Sequence, residues 1–239
     1  MNLLQLCAYH GLALTLVLLI ARDAAQAWRG SGPVRSRSVR YWQTIGRQWA
    51  FVAALALIVP LASLVSFQRT SAASWISSPA LWFILIGDML VIMYVPIVLA
   101  WGSVRIRRLA LAPWRAIRWL APTTASERLL WTLLSVTTGV CEEIMFRGFA
   151  VQYLMRQPWG LSLLAGTLIS CVLFGLGHAY QGLRGVLKTM LLGAALSGLL
   201  LLTGSLALPM LVHILINLRL ALLPPLRLLP SSSPYVSRA

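Results

Sequence analysis

Seven apolar runs separated by polar segments constrain the fold of this 239-residue chain more than any other feature. A transmembrane helix needs about 20 predominantly apolar residues. The chain is 59% hydrophobic and only 10% charged, whereas an average soluble protein is about 25% charged. We therefore predict an all-α integral membrane protein, a polytopic transmembrane helical bundle of about seven spans. The predicted spans cover residues 3–20, 49–65, 80–101, 126–155, 161–178, 187–202 and 206–223.

The basic residues predict the orientation of this bundle. Most of them lie in the loops after the first and third spans, and smaller groups follow the fifth span and the seventh. Basic loops are usually cytoplasmic, which places the N-terminus outside and the C-terminus in the cytoplasm. Because the arginines lie between apolar runs, the net charge of +15 indicates contact with membrane lipid and not with nucleic acid.

Two of the 5 acidic residues, Glu142 and Glu143, are adjacent within the fourth span. A charged side chain in hydrocarbon costs about 2.5–3.5 kcal/mol even on insertion scales, so an intramembrane carboxylate indicates a functional site by default. Arg147 lies one helical turn from Glu143 and can pair with it, whereas Glu142 points about 100° away. One carboxylate can thus be neutralised while the other serves as a general base. A purely structural ion network is the alternative.

Three further polar residues lie at the start of this span or within the span before it. Thr124 and Glu127 have the spacing of a capping box that opens the fourth helix. Asp88 is a lone acid in the third span, and we favour a helix–helix hydrogen bond or an arginine partner over a contact with substrate.

Two imidazoles and an amide follow on later spans. His178 ends the fifth span, directly after Gly175 and Gly177, which permit another helix or a substrate to approach closely. His213 and Asn217 are one turn apart on the seventh span and face the same way. With the acidic pair and the arginine, they provide the base and the donors that water-mediated peptide hydrolysis needs. Helix counting places His178 and His213 at different depths, so the sequence does not fix the depth of the site.

Three motifs carry a resemblance to a known family. They are Glu-Glu-x-x-x-Arg at 142–147, Phe-x-x-x-His at 174–178 and His-x-x-x-Asn at 213–217. In this order on successive hydrophobic helices they resemble the CPBP family of intramembrane proteases, which includes the CAAX-processing Rce1-type enzymes and the bacterial Abi and bacteriocin self-immunity proteins. The resemblance covers roughly residues 126–217, and the first three spans match only in being hydrophobic.

The resemblance implies an endopeptidase with its active site inside the bundle, cutting a membrane-associated or lipidated peptide or protein, in a bacterial inner (plasma) membrane. Glu142 and His178 would activate a water molecule. His213 and Asn217 would stabilise the oxyanion. Glu143 and Arg147 would orient the site. The chain then divides into N-terminal helices and Arg-rich loops (1–125), a CPBP-like catalytic core (126–223) and a disordered tail (224–239).

Zinc and non-proteolytic functions are the alternatives. Glu142, His178 and His213 could supply three zinc ligands, but there is no His-Glu-x-x-His signature, and Asn217 suits an oxyanion site better. We therefore favour no cofactor and keep zinc as an alternative. A non-catalytic immunity or scaffold protein would use the same cluster for binding. A proton-coupled transporter is disfavoured because the sequence shows no second, symmetry-related set of broken helices.

Overall fold

The structure, a computed structural model, describes residues 3–28, 36–60, 63–64, 79–111, 117, 119–156 and 158–224. This part of the chain forms eight helices and no strand, so the all-α prediction is confirmed. The predicted tail lies outside the described residues from residue 225 onward. The helices are α1 (Leu3–Trp28), α2 (Arg37–Ala56), α3 (Pro79–Gly102), α4 (Val104–Leu111), α5 (Ala125–Glu142, continued by a π-helix over Glu143–Ala150 and an α turn over Val151–Met155), α6 (Leu163–Leu176), α7 (Leu183–Thr203) and α8 (Ala207–Leu222).

Within the described ranges, three helices are long and apolar enough to cross a bilayer. They are Leu3–Ala25 within α1, Ala125–Met155 of α5, and α7. Three shorter apolar helices accompany them, namely Ile86–Gly102, α6 and α8. These apolar helices indicate an integral membrane protein, but they do not confirm the predicted count of seven spans.

Helix α5 is the axis around which the others pack. It starts at the predicted capping box: the Thr124 hydroxyl accepts a hydrogen bond from the Glu127 amide at 3.2 Å, and the Glu127 carboxylate accepts one from the Thr124 amide at 3.3 Å. Two clusters of buried apolar residues lie along α5, one around Trp131 and the other around Phe146. The acidic pair lies within the Phe146 cluster, between Cys141 and Ile144.

Contacts along α5 show the direction of its neighbours. Helix α2 runs parallel to α5, since Arg37 at its start lies 3.7 Å from Glu127 and Gln48 further along contacts Glu142. Helix α8 runs antiparallel, because its last residues contact the start of α5 and His213 contacts Glu143. This arrangement brings the middle of α8 to the acidic pair.

Helix α2 differs from the predicted second span. It starts in the arginine-rich segment at Arg37 and ends at Ala56, whereas the prediction placed the span at 49–65. The residue before a proline disfavours helical geometry, so the helix ends ahead of Pro60. Its buried residues recur every three or four positions, which makes α2 amphipathic. They are Tyr41, Ile45, Gln48, Phe51, Val52 and Leu55.

Close packing between α5 and α8 depends on a glycine. A Cβ at Gly139 would overlap the Ile214 side chain and lie 2.8 Å from the Ile214 backbone nitrogen. Because that nitrogen belongs to a helix backbone, the two helices would have to move apart.

We therefore expect Gly139→Ala to destabilise the protein by about 1–3 kcal/mol through overpacking, which lowers Tm by roughly 2–12 °C. The matched control is Gly198→Ala, where a Cβ meets nothing within 4 Å. Thermal unfolding in detergent compares the two variants. Equal Tm values for Gly139→Ala and the unmodified protein would contradict the packing.

Candidate active site

The acidic pair lies where α5 changes from α to π geometry. The α segment ends at Glu142, and the π-helix covers Glu143–Ala150, all eight residues of which are buried. π-Helical turns are rare and frequently occur at functional sites. Gly148 within the turn allows a neighbouring backbone to come close, since a Cβ there would lie 2.8 Å from the Leu64 carbonyl oxygen.

Glu143 is neutralised within the protein interior. Its Oε1 lies 2.9 Å from Arg147 Nη1, and the two side chains are 0% and 1% exposed. The guanidinium carbon of Arg147 lies 4.1 Å from the centre of the Phe174 ring, a cation–π contact that stabilises a buried cation. Gly193 of α7 leaves room for the guanidinium, because a Cβ there would lie 3.2 Å from Arg147 Nη2. The predicted pairing of Glu143 with Arg147 is thus present in the structure.

Glu142 has a different environment from its neighbour. Its Oε1 accepts a hydrogen bond from Gln48 Nε2 at 2.7 Å. Its Oε2 is buried and has no hydrogen-bond partner among the described residues. This oxygen lies 3.8 Å from His213 Nε2 and 4.0 Å from His178 Nε2. Those distances exceed a direct hydrogen bond and suit a water molecule that bridges the groups.

Hydrogen bonds at Nδ1 indicate which ring nitrogen carries a proton in each of the two histidines. His178 Nδ1 lies 2.8 Å from the Phe174 carbonyl oxygen, which can only accept, so Nδ1 carries the proton. In the neutral ring, Nε2 is then an acceptor facing Glu142. His213 Nδ1 lies 2.8 Å from Glu143 Oε1 and donates to that carboxylate, so His213 donates from Nε2 as well only when it is an imidazolium.

Asn217 is held beside α5, one turn before the acidic pair. Its side-chain Nδ2 donates to Thr138 Oγ1 at 2.9 Å, and its backbone carbonyl accepts from Trp131 Nε1 at 2.9 Å. The structure therefore does not give Asn217 a direct contact with either carboxylate. One amide hydrogen is used by Thr138, and the second is available to another acceptor.

Helix α6 is shorter than the predicted span 161–178 and ends before His178. The helix ends at Leu176, and His178 lies in the following turn, where its amide donates to the Gly175 carbonyl at 2.9 Å. Gly175 packs closely on α7, since a Cβ would lie 2.9 Å from the Val186 carbonyl oxygen. His178 Nε2 and His213 Nε2 thereby lie near the same oxygen, at 4.0 Å and 3.8 Å from Glu142 Oε2.

Sequence reasoning missed two residues beside this cluster. Gln48 was assigned to a polar loop, although it falls on the apolar stripe of α2. Tyr180 lies in the turn after α6 with its ring centre 5.7 Å from that of His178. Burial raises the pKa of Tyr180 to about 12, so its hydroxyl keeps its proton at neutral pH. The periodicity of α2 could have identified Gln48, whereas no pattern marked Tyr180.

The zinc alternative requires three suitable ligands close together. Two ligands of a tetrahedral zinc ion lie roughly 3.4 Å apart, and the separations of 3.8 Å and 4.0 Å around Glu142 Oε2 are wider. Among the described residues, no three His, Cys, Asp or Glu side chains have the arrangement of a metal site. Glu142, His178 and His213 are the right ligand types for zinc, at a spacing wider than the ion requires.

We expect Arg147→Met to destabilise the protein by about 3–5 kcal/mol, because it leaves the buried Glu143 without its cation. The control is Arg47→Met, which removes a pair with Asp23 whose side chains are 34% and 29% exposed and which contributes about 0.2–1 kcal/mol. Thermal unfolding of the two variants measures the difference. Equal losses would contradict the buried pair.

The hydrogen bond to Phe174 predicts the tautomer of His178. In ¹⁵N NMR of protein labelled at the histidine rings, we expect a protonated Nδ1 for His178, with the resonance assigned by its loss in His178→Gln. A signal that shows Nδ1 without a proton would contradict the hydrogen bond.

Comparison with known proteins is consistent with this cluster. No curated protein and no solved structure matches the chain. One family model matches residues 124–219, and its description is type II CAAX prenyl endopeptidase Rce1-like. The matched range includes all six predicted site residues, namely Glu142, Glu143, Arg147, His178, His213 and Asn217. The resemblance predicted from the three motifs is thereby confirmed, and the chain carries an Rce1-like domain between residues 124 and 219.

Proposed function

We propose that this protein is an intramembrane endopeptidase that hydrolyses a peptide bond of a membrane-associated or lipidated substrate. The Rce1-like domain supports a CAAX-type intramembrane protease. The observation that carries the proposal is the buried Oε2 of Glu142, which has no partner among the described residues and lies within 4.0 Å of two imidazole nitrogens.

In this mechanism, a water molecule donates hydrogen bonds to Glu142 Oε2 and His178 Nε2, both of which are acceptors. One of these groups takes a proton from the water as its oxygen attacks the carbonyl carbon of the peptide bond. A general base of this kind contributes about 10²–10⁴-fold to the rate. The same proton then passes to the leaving nitrogen as the C–N bond breaks, which releases a carboxylic acid and an amine.

The oxyanion formed by this attack needs donors. His213 in its imidazolium form donates from Nε2, and Asn217 donates with the hydrogen that Thr138 does not use. Such donors act strongly in a site that excludes water. Glu143 and Arg147 orient this side of the site, since Glu143 accepts from His213 Nδ1 at 2.8 Å.

We place this site inside a bundle of seven spans formed by the seven helices other than the short α4. Arg37 of α2, Arg107 of α4 and Arg219 of α8 lie toward one end of this bundle, which the positive-inside rule assigns to the cytoplasm. The N-terminus is then outside and the C-terminus inside, in a bacterial inner membrane. The polar cluster lies among apolar helices, which supports a substrate that enters from the lipid.

A zinc-dependent version of the same protease would use Glu142, His178 and His213 as ligands. Zinc bound there would supply a Lewis acid and a more acidic bound water. A non-catalytic immunity or scaffold protein would retain the cluster for binding and cleave nothing.

Substitution of the two proposed water-activating groups tests the proposal. We expect Glu142→Gln and His178→Ala to lower cleavage of a membrane-peptide library by about 10²–10⁴-fold. His10→Gln is the matched control, because His10 contacts Tyr153 on another part of α5. We expect its activity to be unchanged.

The same assay separates the alternatives. If no peptide is cleaved by the unmodified protein and left intact by the two variants, the protease proposal is wrong and a binding function replaces it. If a strong chelator abolishes cleavage, the metal-free mechanism is wrong. We expect the chelator to leave cleavage unchanged.

A further inference from the structure

We propose that Gln48 of α2 is a positioning residue for Glu142, an inference that rests on the proposed function. The amide of Gln48 holds Oε1 of Glu142 so that Oε2 remains directed at His178 and His213. Gln48 lies outside the matched range 124–219, so this role extends the site to the N-terminal part of the chain.

The contact is short and buried. Gln48 Nε2 lies 2.7 Å from Glu142 Oε1, and Gln48 is 7% exposed. A carboxylate oxygen only accepts hydrogen bonds when ionised, so the amide nitrogen is the atom that faces it. Hydrogen bonds to charged groups are stronger than neutral ones, and the bond restricts rotation of the Glu142 carboxylate. The second oxygen therefore keeps a fixed direction.

The two adjacent carboxylates differ in the charge of the side chain that donates a hydrogen bond to them. Arg147 supplies Glu143 with a positive charge, and that carboxylate is neutralised. Gln48 supplies Glu142 with a neutral hydrogen bond, which fixes the carboxylate without compensating its charge. A lysine or arginine in place of Gln48 would fix the carboxylate and neutralise it, so a neutral amide suits a base.

The packing of α2 supports this assignment. Gln48 is the polar member of an otherwise apolar buried stripe, and a buried amide is costly unless it is hydrogen-bonded. Contacts on either side of it fix the register of α2 against α5, with Trp49 Nε1 donating to Thr137 Oγ1 at 3.2 Å and Arg37 near Glu127. The Oε1 atom of Gln48 is buried without a partner in the part of the chain that the structure describes. It is an acceptor beside Glu142 for the bound water or a substrate N–H.

Gln48→Met tests the role, because methionine keeps the length of the side chain and removes the donor. With a peptide that the unmodified protein cleaves, we expect kcat to fall on the order of 10–100-fold, while KM changes less than twofold. Trp49→Phe is the control, since it removes a neighbouring hydrogen bond between α2 and α5 that does not involve Glu142. We expect Trp49→Phe to retain both constants within about twofold. An equal loss of kcat in the two variants would mean that Gln48 only packs the helices, which overturns the proposal.

A measurement without substrate separates this inference from the proposed function. Tm in detergent is compared for Gln48→Met, Glu142→Met and the double variant. If the side chains are bonded, we expect the double variant to lose about 2–6 °C less than the sum of the two single losses. Additive losses overturn the contact and the proposal with it. Non-additive losses in a protein that cleaves nothing overturn the protease function and any catalytic positioning, while establishing that Gln48 holds Glu142.

Discussion

The structure depends on the different partners of two adjacent carboxylates, one fully buried (Glu143) and one largely buried (Glu142). Burying two neighbouring charges is costly unless each is compensated or hydrogen-bonded. Glu143 receives the guanidinium of Arg147 and the imidazole of His213 at one oxygen, whereas Glu142 receives a neutral amide at one oxygen. The second oxygen of each carboxylate has no hydrogen-bond partner among the described residues. The packing around Arg147 accommodates its charge, since Phe174 covers the guanidinium and Gly193 makes space for it. Glu143 thus has a cationic partner within its own helix, whereas the hydrogen-bond partner of Glu142 comes from α2.

Much of the site could be predicted because its chemistry is unfavourable in an apolar chain. Carboxylates and imidazoles on hydrophobic helices are costly, so Glu142, His178 and His213 stood out without any structural information. The pairing of Glu143 with Arg147 followed from helical spacing alone. The start of α5 at Thr124 was likewise a local signal, because a capping box is made by residues three apart.

The remaining features depend on tertiary packing. The π-helix at Glu143–Ala150 has no sequence signature, since every residue in it is buried and no apolar period marks the change of pitch. Mean hydropathy does not mark α2, because Arg37, Arg40 and Arg47 lie in the same helix as its buried apolar residues. The depth of His178 depended on where α6 ends, and the end of a helix is set by the glycine at its cap and the packing of the following turn. For the same reason, the partner of Glu142 could not be assigned from its own motif.

The positions of the charged partners along the chain have a consequence for biosynthesis. Arg147 and Glu143 belong to the same helix, so their charges can cancel as soon as that segment emerges, and α5 can enter the bilayer as a nearly neutral unit. Gln48 is translated before Glu142 and is present when this helix arrives, if assembly proceeds from the N-terminus. His213 and Asn217 are the last of the six predicted site residues to be translated. A ribosome-bound intermediate lacking α8 would therefore hold Glu142 beside Gln48 and Glu143 beside Arg147, and the polar cluster would be completed only after α8 has been translated.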